Sequence, residues 1–273
     1  MSYHSRLRGY ANTTGQMKTI LPLIYLLGAG YLLSLGLLYF LQRNILYQPV
    51  ASSADIPREA ISIANEGLKL HGWRLNKGQS KALIYFGGNA ETISDNIILF
   101  ESMFQDYTVY LINYRGYGNS EGSPGEAELF SDALAIYDRI QDWHSSTSLF
   151  GRSLGSGVAV YLSTQRQIEQ LILLTPYDSI ANVGQSHYPL FPVKYLIKDR
   201  FDSLKYAPEI AIPVLIVTAE LDRVIPIKHS EALRDQLINT SVVYRMISGA
   251  AHNNITDFPE YREAIERFIE APK

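Results

Sequence analysis

Polar and apolar positions follow three regimes along the chain. From Thr19 to Leu41 the run TILPLIYLLGAGYLLSLGLLYFL carries no charge. At ~1.5 Å rise per residue such a run reaches about 35 Å as a helix, enough to span a hydrocarbon core with slight tilt. A core helix of this length is rarely apolar on every face. Residues 19–41 therefore predict a transmembrane anchor, with Lys18, Arg43, Tyr39, Phe40 and Tyr47 placed for its two interfaces. Residues 1–18 read as a polar tail and 42–57 as a linker punctuated by Pro49 and Pro57. The small residues Ser52-Ser53-Ala54 offer a signal-peptide reading, but the apolar run is long for that and Arg43 intervenes. Positive residues are slightly more numerous before the run than after it. That bias predicts a cytoplasmic tail and the bulk of the chain on the non-cytoplasmic side.

From residue 58 to 273 the pattern changes to short runs of period two and longer runs of helical period. Strands over 60–64 and 68–75 flank Asn65-Glu66-Gly67, a hairpin signal. Strand and helix then alternate: strand 81–86, helix 91–103, strand 108–112, helix 126–143, a short strand ending at Phe150, and a helix after it. Strands 171–174, 214–218 and 242–247 and helices 227–237 and 259–269 complete the series. A hairpin followed by repeated strand–helix units predicts an α/β fold, with a mostly parallel sheet covered on both faces. Residues 175–210 break the rhythm with Pro176, Pro189, Pro192 and Pro208 and many aromatics. They read either as a lid over the strand ends, with Tyr177 and Phe191 as candidate walls of a substrate pocket, or as a helical layer packed for stability.

Composition narrows the chemistry. The net charge of −3 gives no basic field and no argument for nucleic acid. The absence of cysteine excludes disulfides and thiolate metal sites.

Between the strand ending at Phe150 and the next helix stands Gly151-Arg152-Ser153-Leu154-Gly155. A G-x-S-x-G turn from strand to helix is the signature of a nucleophile elbow. The strained serine brings the residues two before and two after it close together, so glycines at 151 and 155 have a steric reason. A serine hydroxyl needs a base. Of the six histidines, His252 alone stands in a small-residue loop after the last predicted strand. The imidazole needs a carboxylate. Asp222 follows strand 214–218, with Glu220 and Asp202 as rivals. Two oxyanion donors are expected: the amide of Leu154, and that of Asn89 in Gly87-Gly88-Asn89-Ala90, where Gly88 lets the backbone approach the substrate closely. An ordinary strand-to-helix turn remains the alternative for that loop. Asn113 to Gly122 holds three glycines and reads as a tight structural loop, with Arg115 as a brace.

These blocks together resemble the α/β-hydrolase superfamily. They look most like its membrane-anchored branch of BEM46-like and ABHD13/ABHD17-like serine hydrolases. The resemblance runs from Gln42-Arg43-Asn44-Ile45-Leu46-Tyr47-Gln48-Pro49 through Gly88-Asn89-Ala90, Asn113-Tyr114-Arg115-Gly116-Tyr117-Gly118, the elbow, Asp199-Arg200-Phe201-Asp202-Ser203, and Asp222-Arg223-Val224-Ile225-Pro226 to His252-Asn253. The order serine, acid, histidine along the chain is also that fold's order. The resemblance implies a Ser-Asp-His hydrolase of ester, thioester or amide bonds, acting on small-molecule, lipid or acylated substrates without metal or organic cofactor. Gly87 stands where the family often has histidine, and Thr218-Ala219 where His-Gly commonly precedes the acid. A peptidase of the same framework and a catalytically silent, membrane-tethered binding module are the alternatives.

Overall fold

The computed structural model describes residues 3–51 and 57–271, with side chains from residue 20 onward. Residues 52–56 of the expected linker, including Ser52-Ser53-Ala54, lie outside the described residues. The chain divides into two units, Met1–Arg43 and Asn44–Lys273. Helix α1 (Tyr3–Leu46) fills the first, and its backbone is already helical over the described part of the tail read at 1–18. Its stretch Ile20–Leu46 has a mean hydropathy of 1.9 with no part of its apolar window buried, long and apolar enough to cross a membrane.

The second unit is built on one sheet. Strands β1 (Ala60–Asn65) and β2 (Leu68–Leu75) form a hairpin. Its two turn residues, Glu66 (φ 50°) and Gly67 (φ 79°), have the positive φ that matches strand twist in a tight turn. Then follow β3 (Lys81–Phe86), α2 (Ile97–Met103), β4 (Tyr107–Ile112), α3 (Glu126–Ile140), β5 (Ser146–Arg152), α4 (Leu154–Gln165) and β6 (Leu171–Leu174). Short helices α5 (Ile180–His187), α6 (Val193–Leu196) and α7 (Ser203–Tyr206) form the insertion. Strand β7 (Val214–Ala219), α8 (Ile227–Gln236), β8 (Val242–Ile247) and α9 (Pro259–Glu270) close the chain. The sheet order is β1-β2-β4-β3-β5-β6-β7-β8. Strand β2 is antiparallel to β1 and β4, and every later pair is parallel.

Successive side chains of each central strand point to opposite faces, so two cores form. Ala82, Ile84, Leu149 and Leu171 meet Leu129, Ala133, Val158 and Leu162 from α3 and α4 on one face. Leu83, Tyr85, Phe150 and Ile172 meet Phe100, Phe104, Tyr261 and Ile265 on the other. Strands enclosed on both sides must be apolar throughout, which is why β4 and β6 read as continuous runs.

Some boundaries differ from expectation. The helix expected from Glu91 begins as a 3₁₀ turn at Ile93–Asn96, because the Glu91 carboxylate is bonded to the Gly88 amide. Part of the expected linker is also packed. Tyr47 is 3% exposed, and the Val50 carbonyl accepts from the Gly118 amide at 2.8 Å. The brace read at Arg115 is present, its guanidinium donating to both oxygens of buried Asp132 at 2.7 and 2.6 Å.

Candidate active site

Parallel strands deliver the loops after β3, β5, β7 and β8 to one edge of the sheet. Ser153 sits at the tip of β5 with φ 48° and ψ −114°, the strained conformation an elbow demands. A Cβ on Gly151 would stand 2.6 Å from the Gly155 carbonyl oxygen, and one on Gly155 would strike the Phe86 carbonyl. The glycine spacing read from the sequence is thus a packing requirement. The turn is fastened by Ser153 N–H to Leu174 O (2.9 Å) and Gly155 N–H to Gly87 O (3.1 Å).

The side chains of Ser153, His252 and Asp222, separated by up to 99 positions, meet here. His252 Nε2 lies 3.0 Å from Ser153 Oγ, and Nδ1 lies 2.7 Å from Asp222 Oδ2. With Nδ1–H donating to the carboxylate, Nε2 is left to accept the hydroxyl proton. The other carboxylate oxygen of Asp222 accepts the Val224 and Ile225 amides at 2.9 and 2.7 Å. All three side chains are buried, with Asp222 at 3% exposure, so the charge interactions act in a low-dielectric setting. Glu220 is engaged elsewhere, accepting from Ser248 Oγ (2.7 Å) and the Gly249 amide (2.8 Å) on the histidine loop. Asp202 stands at the residue before α7, within the insertion, and its side chain makes no capping bond there.

The predicted oxyanion donors have distinct surroundings. Leu154 opens α4, so its amide has no partner within the helix. Among the described residues, neither it nor the Asn89 amide has an acceptor. The Gly88 amide, by contrast, is taken by Glu91, and a Cβ on Gly88 would come 3.8 Å from that of Ser153. Both polar atoms of the Asn89 side chain are engaged: Oδ1 accepts from Tyr117 Oη (2.8 Å) and the Gln48 amide (3.0 Å), and Nδ2 donates to Leu46 O (2.7 Å). Burial pushes the Tyr117 phenol up to about 12, so it stays a donor. Tyr114 is likewise raised by burial, and its hydroxyl donates to Gly87 O at 2.8 Å.

Tyr177, expected as a pocket wall, is completely buried, and its hydroxyl donates to Leu154 O at 2.9 Å. It lies directly against Gly157 and supports the elbow helix from below instead of facing an open pocket. Phe191 is half-buried at the end of the α5–α6 turn, its carbonyl accepting from Gln185 Nε2 at 2.9 Å.

Two constellations escaped the sequence reading. Glu91 gathers Tyr85 Oη (2.7 Å), Asn96 Nδ2 (2.6 Å) and Arg152 Nη1 (3.1 Å), besides the Gly88 amide. His229 lies buried between Asp178 Oδ1 (2.9 Å from Nδ1) and Ser186 Oγ (3.0 Å from Nε2), joining α8 to α5. Neither has a local motif. An acid three residues past a glycine pair and a histidine at a helix start carry no signal until the fold is known.

Residues 80–198 match the family described as serine aminopeptidase, S33. An uncharacterized protein of Mycobacterium tuberculosis is 31% identical over 262 residues, 87% of this chain and 92% of that protein. An uncharacterized membrane protein of Saccharomyces cerevisiae is 25% identical over 87% of this chain and 92% of its own. The lysophosphatidylserine lipase ABHD12 of Danio rerio is 29% identical over 70% of this chain and 58% of the lipase. Among solved structures, an esterase of Pyrococcus furiosus superposes with a TM-score of 0.67 over 82% of this chain and 98% of that one. At 20% identity that likeness speaks for the fold. With sequence relatives aligned over 70% to 87% of its length, the chain belongs to the α/β-hydrolase superfamily, in its BEM46/ABHD-like branch.

Proposed function

We propose that this hydrolase is a membrane-anchored serine esterase or thioesterase working through Ser153, His252 and Asp222. The observation that carries the reading is the pair of distances at His252, 3.0 Å to Ser153 Oγ and 2.7 Å to Asp222 Oδ2. Ser153 Oγ attacks an acyl carbonyl while its proton passes to His252 Nε2. The amides of Leu154 and Asn89 donate to the oxygen that gains charge. Collapse of the tetrahedral species expels the alcohol or thiol, which takes the proton from His252. Water, deprotonated by the same imidazole, then releases the acid and restores the serine hydroxyl. Asp222 holds the imidazole tautomer and stabilises its charged form. The apolar helix Ile20–Leu46 supplies the anchor, and the slight positive bias before it favours a non-cytoplasmic hydrolase unit. Likeness to a lysophosphatidylserine lipase favours acyl lipids among the substrates.

The test is Ser153→Ala in the full chain. Loss of both ester turnover and fluorophosphonate labelling is expected, and full labelling of the variant would move the nucleophile elsewhere. The serine aminopeptidase match over residues 80–198 supports one rival, a peptidase. Turnover of aminoacyl anilides exceeding that of acyl p-nitrophenyl esters would select it.

A further inference from the structure

Beyond α1, five of the nine exposed large apolar side chains among the described residues fall in two segments, while Ile98, Trp143, Ile238 and Met246 stand singly. The insertion carries Tyr188 (52% exposed), Leu190 (82%) and Tyr195 (89%), and the acid loop carries Leu221 (57%) and Val224 (47%) on either side of Asp222. The segments touch, for His187 Nε2 lies 2.9 Å from Val224 O. Val224 in turn donates its amide to Asp222, so this surface is continuous with the loop that holds the triad acid. Charge follows the same outline. Within 187–201 and 221–228, Lys194, Lys198, Arg200, Arg223 and Lys228 are exposed, while the side chains of the two acids there, Asp199 and Asp222, are buried. A chain of net charge −3 thus presents a cationic, tyrosine-bearing apolar rim beside its catalytic site. Exposed leucine and tyrosine ringed by lysine and arginine is the composition of a surface that lies in the lipid interface and favours anionic headgroups.

We propose that this rim docks on an anionic phospholipid surface, so that acyl substrates pass from the bilayer to Ser153 without crossing water. The proposal rests on the hydrolase reading only for the use made of the docked face, and the docking itself is read separately. The chain contains no cysteine, so a single introduced one labels one site. Tyr195→Cys carries an environment-sensitive fluorophore in the full chain, reconstituted in phosphatidylcholine vesicles with or without phosphatidylserine. Ile238→Cys, exposed beyond the far end of α8, is the control. The expected result is a blue-shifted label at 195, quenched by brominated lipid and enhanced by phosphatidylserine, with a water-like label at 238. Lys194→Glu combined with Lys198→Glu abolishes the enhancement. Hydrolysis of vesicle-borne acyl chains then falls about tenfold or more, since reversed charges are repelled by the anionic surface, while a soluble short-chain ester is turned over as before. A water-like label at 195, a label indifferent to phosphatidylserine, or a blue shift that follows protein concentration instead of lipid each overturns the proposal; the last assigns the face to a second copy. Docking is measured equally in the Ser153→Ala background, so a failed hydrolase reading shows as surviving turnover and a failed docking reading as an unshifted label.

Discussion

Arg152 and Glu91 form a largely buried ion pair, 3.1 Å between Nη1 and Oε1, that ties the residue before Ser153 to the loop bearing Asn89. Glu91 also occupies the Gly88 amide, which leaves the amide of Asn89 as the next donor on that loop. Its carboxylate is therefore a positioning group for the proposed oxyanion donors. In Glu91→Gln the side chain keeps its size but loses the charge that Arg152 needs. We expect kcat to fall about tenfold to a hundredfold, less than loss of a whole oxyanion donor, with KM within about twofold. Affinity for a trifluoromethyl ketone that mimics the tetrahedral species should fall in step with kcat. A raised KM at unchanged kcat would mean the network shapes substrate binding instead.

The acid assignment separates Asp222 from its neighbour Glu220, only two residues away. Asp222→Asn preserves the shape of the contact at 2.7 Å but can present an N–H to Nδ1 and turn the ring to the wrong tautomer. A loss of about 10³ to 10⁴ in kcat is expected, the magnitude seen when a triad acid is neutralised. Glu220→Gln disturbs only the bonds to Ser248 and Gly249 at the base of the histidine loop. Its turnover should stay within about tenfold of the parent, since one exposed hydrogen-bonded carboxylate contributes little. Equal losses in the two variants would contradict the assignment.

Gly155 tests the elbow by packing alone. A methyl group there meets the Phe86 carbonyl, which belongs to a central strand and cannot move without breaking the β3–β5 ladder. Gly155→Ala should lower stability by about 3 kcal/mol or more, at the high end of overpacking costs. Thermal unfolding and soluble yield measure it. Gly67→Ala is the comparison: a Cβ there has open space and meets only the cost of its positive φ. A smaller loss is expected.

These predictions mark what could be read before the fold was known. The sheet strands were legible because enclosed parallel strands must be apolar, so β6 is found as Leu171-Ile172-Leu173-Leu174 without ambiguity. That Ser153, Asp222 and His252 would come together was legible because each follows a strand on the same edge, where topology alone brings loops together. Tyr177 was misplaced for the complementary reason. An aromatic just after a strand can turn outward to a pocket or inward beneath the next helix, and only the bare surface of Gly157 decides for the latter. Likewise Glu91, His229 and Asp178 make bonds across 61 and 51 positions that no local period encodes. The packed part of the linker escaped because Gln48 and Val50 are too few to form a periodic pattern, yet the Gln48 amide donates to Tyr117 Oη and the Val50 carbonyl accepts from the Gly118 amide.

His144 offers a pH test remote from the catalytic edge. Its Nδ1 lies 3.0 Å from Gln79 O and its Nε2 2.8 Å from Tyr110 Oη, so the neutral ring donates to the first and accepts from the second. Burial holds its pKa below the ordinary imidazole value; the Gln79 carbonyl opposes the shift, and nearby Arg74 adds to it. In the unfolded chain the same imidazole titrates near about 6.5. Between that value and the lower folded one, the unfolded state binds more protons, so stability rises with pH across the window. The contribution is present above about 6.5 and is lost as pH falls through the interval. Urea midpoints of the full chain in detergent should therefore drop from pH 7 to pH 5 more steeply in the parent than in His144→Gln, which cannot titrate. The other histidines are common to both proteins and cancel in the difference. Parallel curves would show that the protonated ring is accommodated at no cost, with Tyr110 turning its hydroxyl to accept from Nε2.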